Sequence, residues 1–86
     1  MPRLPDDDAW LLQERRAIGD RIRVTRIRKD MTQEQVFLAA NLARSSYQEI
    51  EAGVSDARIS SLLRIARVLG VHVTDLLHGQ GGAAGS

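Results

Sequence analysis

TQEQVFLAANLARSSYQEIEAG, residues 32–53, is the stretch that decides the fold. Thr32 is a hydroxyl N-cap, and Gln35, three residues on, can reach back to the backbone N–H of residue 32. That reciprocal pair is a capping box, a signature of a helix start. Met31 and Val36 flank it at the spacing of a hydrophobic staple. Val36, Phe37 and Ala40 then share one helical face. Asn41 follows where the chain must turn, and asparagine tolerates the left-handed conformation better than most residues. Leu42 is an apolar plug after the turn. A second helix is expected over about Arg44–Ala52, with Tyr47 and Ile50 inward and Gly53 suited to its C-terminal stop.

Upstream, Asp6, Asp7 and Asp8 supply cap and first-turn acids for a long helix over about Asp7–Lys29. Leu11, Ile18, Ile22 and Thr25 lie on one face of it, at steps of seven, four and three. A neighbouring stripe holds Trp10, Ala17, Val24 and Ile27. One stripe serves a core; the second is surplus for a small monomer. Either Trp10 and Leu11 fold back over their own domain, or Trp10, Leu11, Val24 and Ile27 form a dimer contact. Downstream, Asp56 is the expected N-cap of a helix whose wide apolar face holds Ile59, Leu62, Leu63, Ile65, Ala66 and Leu69. Gly70 stops it, and a short helix over Thr74–Leu77 follows. Residues 1–6 are expected to be a flexible N-terminus, 7–78 one domain, and 79–86 a flexible tail.

The sequence resembles the Cro and phage-repressor (XRE-like) type of helix-turn-helix protein. The matching residues are Thr32-Gln33-Glu34, Val36, Leu42, Arg44, Ile50-Glu51 and Gly53, then Leu62-Leu63, Ile65-Ala66, Leu69-Gly70-Val71 and Asp75-Leu76-Leu77. The match needs no gaps from about Ile18 to Leu77. It implies an all-α, five-helix, lambda-repressor-like helix-turn-helix domain, here with an extended first helix. Asp30 stands where that family usually has glycine, Phe37 where it has a small residue and Thr25 where it has a large aliphatic one. A compensating swap is expected, with the Phe37 ring filling space vacated at Thr25 and Ala40.

The resemblance also implies a site. The second helix of such a pair enters the major groove of double-stranded DNA. Arg44, Ser45, Gln48 and Glu49 are the implied base readers. Arg44 suits guanine O6 and N7, Gln48 suits adenine, and Glu49 can accept from cytosine N4. Gln33, Ser46, Arg26 and Arg58 are the expected phosphate contacts, and Arg26 with Glu51 matches a structural ion pair of the family. The plain alternative for the readers is a solvated polar helix face. Val54, Ser55 and Asp56 stand where the family often carries cations, leaving only Arg58 nearby. Ala43 replaces a hydroxyl cap; Ser45 is the alternative cap, which would shift the start of the recognition helix.

Composition limits the other classes. The chain has 86 residues, enough for one domain with a small core. It has no cysteine and two histidines, so neither disulfides nor a thiolate metal site is expected. No apolar run approaches the ~20 residues of a membrane span, and no secretory leader is evident, so a cytoplasmic protein is expected. Net charge is only +1, but Arg15, Arg16, Arg21, Arg23, Arg26, Arg28 and Lys29 cluster in one expected helix. No catalytic set, phosphate-cradling loop or cofactor motif is present. The expected function is a transcriptional regulator, a repressor, acting as a homodimer on an inverted repeat. The alternative is an antitoxin or adaptor of the same fold, with a protein partner.

Overall fold

The computed structural model describes residues 7–78, and the segments expected to be flexible, 1–6 and 79–86, lie outside the described residues. Five helices follow in order: α1 (Asp7–Arg28), α2 (Gln33–Ala39), α3 (Arg44–Ala52), α4 (Ile59–Leu69) and α5 (Val73–His78). The capping box is formed in both directions. Thr32 Oγ1 accepts from Gln35 N–H at 3.0 Å, and Gln35 Oε1 accepts from Thr32 N–H at 2.8 Å. The turns fall at left-handed residues: Asp30 (φ 57°), Asn41 (φ 58°), Gly53 and Gly70 (both φ 73°). Asp30 thus takes up the glycine-like conformation itself, at the steric cost a Cβ carries there.

Ile22 of α1 sits at the middle of a single core. Val36, Phe37 and Ala40 approach it from α2, Tyr47 and Ile50 from α3, Leu62, Ile65, Ala66 and Leu69 from α4, and Leu76 from α5. Ile18, Met31 and Leu42 pack on its edge. Phe37 is buried, and its ring tilts against Tyr47 with centroids 6.2 Å apart. Arg21 of α1 donates through Nη1 to the carbonyl oxygens of Leu76 and Leu77, at 3.0 and 2.6 Å. Those C-terminal carbonyls have no partner within their own helix, so the arginine satisfies them and ties α5 to α1.

Two expectations are corrected here. The helix over 59–69 is not capped by Asp56. Its N-cap position is Arg58, with no side-chain cap bond, and Asp56 instead lies 3.9 Å from Arg15 Nη2. The apolar face of α4 is also narrower than expected, because Ile59 and Leu63 are exposed. Nor do the first turns of α1 fold back to bury their tryptophan: Trp10 is 61% exposed.

Helices α1 and α3 touch through glycine. A Cβ placed on Gly19 would lie 2.3 Å from the Glu51 carbonyl oxygen and 2.7 Å from that of Ile50. A Cβ on Gly53 would lie 2.6 Å from the Arg16 Cα. Glycine in mid-helix costs stability locally; here it lets two backbones come together. Substituting Gly19→Ala should therefore cost about 3 kcal/mol, the upper end of an overpacking penalty. Gly70→Ala meets nothing nearer than Lys29 Nζ at 3.9 Å and should lose only the left-handed preference, about 1 kcal/mol. Denaturant melts of the two variants check the order.

Candidate nucleic-acid interface

The close approach of α1 and α3 brings Arg26 onto Glu51. Arg26 Nε donates to Glu51 Oε2 at 2.7 Å and Nη2 to Oε1 at 3.4 Å. Arg26 Nη1 donates to the Met31 carbonyl at 2.9 Å, fixing the α1–α2 turn. The Tyr47 hydroxyl donates to Glu51 Oε2, and Gln33 Nε2 donates to Oε1 at 3.0 Å. The side chains of Arg26 and Glu51 are 13% and 5% exposed. A buried carboxylate is costly unless its oxygens are fully engaged. Here they take donors from α1, α2 and α3. Arg26 thereby belongs to the scaffold: its guanidinium is directed inward to Glu51 and Met31, rather than out toward a phosphate.

The electrostatics follow from this geometry. Burial opposes ionisation of Glu51, but hydrogen bonds from Arg26, Tyr47 and Gln33 outweigh it and hold the carboxyl below its usual range. Burial, then the bond to Glu51, pushes the Tyr47 hydroxyl up, so it stays protonated and donates. The bond to Glu51 raises Arg26 further.

Gln33 links this cluster to the surface. Its Nε2 faces a carboxylate, so its Oε1 must face away, and Oε1 accepts from Gln48 Nε2 at 3.3 Å. Gln48 is thus held on the exposed side of α3 with its own carbonyl oxygen uncommitted by this bond. Sequence reading placed Gln33 on phosphate. The structure instead turns part of its amide to Glu51 and Gln48, a link that no local spacing signals.

The four expected base readers all lie exposed along α3. Arg44 opens the helix. Its guanidinium stands 5.3 Å from the Phe37 ring centroid, and Nη2 is 3.7 Å from Glu34 Oε2. Both contacts are surface contacts, each worth about 1 kcal/mol or less. A bidentate guanine contact discriminates by about 1–3 kcal/mol, so DNA can take Arg44 from these partners. Ser45 does not cap α3. The cap position is Ala43 without a side-chain bond, so the helix starts at Arg44 as first expected. The leading N–H groups of α3 then have no intrahelical partners.

Ser46 and Glu49 of α3 face the start of α4 across a polar cleft of 520 Å³, which Arg58, Ser60, Ser61 and Arg64 also line. Arg58 is therefore not the only cation beside the recognition helix. Arg64 was missed because its relevance depends on how α4 packs against α3. Of the expected dimer-contact residues, Trp10, Val24 and Ile27 are exposed and Leu11 is half-buried.

Removing Arg26 (Arg26→Ala) would strand a buried carboxylate and should cost about 3–5 kcal/mol. The pH dependence has a definite sign. Because the folded pKa of Glu51 is depressed, its stabilisation is full above the unfolded value, about 4.3, and is lost as pH falls through the folded one. Glu51→Gln should therefore lower the melting temperature at neutral pH and flatten its decline on acidification. Thermal melts across the acid range check both.

Comparison with known proteins agrees with this geometry. The helix-turn-helix family (HTH_3) matches residues 22–76. No curated protein matches the chain. Among solved structures, the restriction-modification controller protein C.AhdI from Aeromonas hydrophila is similar at a TM-score of 0.72 and 25% identity, over 74% of this chain and 97% of that one. The clp gene regulator ClgR from Corynebacterium glutamicum is similar at 0.73 and 25%, over 83% and 76%. The hypothetical transcription factor NHTF from Neisseria is similar at 0.71 and 26%, over 90% and 84%. With that match spanning the core helices, a capped α2 and an exposed, posed α3, the chain belongs to the XRE-type helix-turn-helix family and is a DNA-binding transcription regulator.

Proposed function

We propose that the protein is a sequence-specific transcriptional repressor that binds an inverted repeat as a homodimer, laying α3 in the major groove. The observation that carries this reading is the two-sided character of α3. Tyr47, Ile50 and Glu51 are locked inward, while Arg44, Ser45, Gln48 and Glu49 stand outward. A helix posed on one face and free on the other is what base reading requires. Arg44 reads guanine, and Gln48, steadied by Gln33, reads adenine. Ser46, Arg58 and the remaining N–H of Gln33 meet phosphates. Glu49 accepts from cytosine N4, and Arg58 and Arg64 across the cleft offset its charge toward the DNA backbone. Repression then follows from occupancy, since a small domain on an operator blocks access to it. Two copies related by a two-fold axis would place their recognition helices about 34 Å apart, one turn of DNA.

The test is recovery of bound DNA. Purified protein is incubated with fragmented DNA from its source at near-physiological salt, and the retained fragments are sequenced. The expected result is an enriched inverted repeat. Arg44→Ala should relax the preference at one base position of each half-site and cost roughly 1–3 kcal/mol. No enrichment by the folded protein would overturn this reading and favour a protein partner instead.

A further inference from the structure

The first turns of α1 precede Ile22, where the family match begins. They carry the chain's single tryptophan, Trp10, 61% exposed. Beside it lies an open, mostly apolar groove of 290 Å³ between α1 and the start of α4. Its walls are Leu11 and Ile18 of α1 and Ile59 and Leu62 of α4, with Ile50 and Ala57 between them. Ile59 is 70% exposed, and Leu63, one turn further along α4, is also exposed. A large knob and an apolar recess thus share one stretch of surface.

We infer that Trp10 of each copy fills this groove of a second copy, so that the α1 extension and the start of α4 form a two-fold contact between identical chains. This rests on the homodimer reading above and supplies its contact. Three observations select a second copy as the occupant. First, knob and hole belong to one patch, so a two-fold pairing fills both grooves and covers both tryptophans at once, as a self-complementary interface requires. Second, the groove is the size for one aromatic side chain; sites for drug-sized ligands run about 300–1,000 Å³. Third, its rim carries both signs, Glu14 and Asp56 with Arg15, which suits a copy of itself. The Val24 and Ile27 stripe fails on that count. Exposed Arg23, Arg28 and Lys29 flank it, so two such faces would set like charges together.

The test uses the full chain and its single tryptophan. Sedimentation across a concentration series gives the oligomeric state, and Trp10 fluorescence is followed over the same series. The expected wild type is a dimer with blue-shifted emission, moving to the red as dilution dissociates it. Trp10→Ala and Ile59→Glu alter exposed residues, so both should keep the fold, checked by circular dichroism. Each should raise the dimer dissociation constant at least about thirtyfold, the loss expected of a buried aromatic anchor. Val24→Glu should leave it unchanged. A dimer that persists in Trp10→Ala and Ile59→Glu, or emission that ignores dilution, overturns the groove contact and leaves the homodimer reading standing. A wild type monomeric at every concentration overturns the contact, and if it also binds its selected DNA one copy at a time, the homodimer reading falls too.

Discussion

The carboxylate of Glu51 is the constraint on which the rest of the structure depends. It is nearly enclosed and holds its charge because Arg26, Gln33 and Tyr47 donate to it. Those donors come from α1, α2 and α3, so satisfying one charge fixes three helices against each other. The geometry is demanding. Arg26 reaches Glu51 because α1 lies against the end of α3, and α1 lies there because Gly19 and Gly53 carry no side chain. The packing of two backbones and the pairing of two charges are thus one arrangement. A buried pair of this kind is poor evidence for net stability, but it penalises every alternative placement of the helices.

The interior and the reading face differ in strength, and that difference suits recognition. Inside, Glu51 makes short, charge-assisted bonds out of water's reach. Outside, Arg44 rests on Glu34 and the Phe37 ring through weak, exposed contacts. Gln48 bridges the two regions through Gln33. The backbone of α3 is therefore held by strong interactions, while its base-facing side chains are held only loosely enough to be exchanged for DNA.

What could be read from the sequence was what local chemistry determines. The Thr32 and Gln35 capping box needs only a spacing of three, and the left-handed turns at Asp30, Asn41, Gly53 and Gly70 need only residues that accept them. The bounds of α3 followed from these. Features set by distant partners were not legible. Gly19 looks like a defect in a helix until the carbonyl oxygens of residues 50 and 51 are placed beside it. Asp56 has the chemistry of a cap but is drawn toward Arg15, so the helix begins at Ile59 with no side-chain cap. Ile59 and Leu63 fit the helical period of a core face, yet the domain is too small to cover them. The Arg26 and Glu51 contact was suggested by family resemblance; no spacing rule would have joined residues 25 positions apart. Gln33 as an intermediary and Arg64 as a second cation required the packed helices themselves.

The central claim is that one buried carboxylate poses the recognition helix for DNA. It is tested most directly by measuring the affinity of Glu51→Gln for DNA selected by the wild type, at a temperature where both proteins are folded. The account predicts weaker binding to the selected site, with binding to unrelated DNA unchanged. Equal affinity for the selected site in a folded Glu51→Gln protein would contradict it.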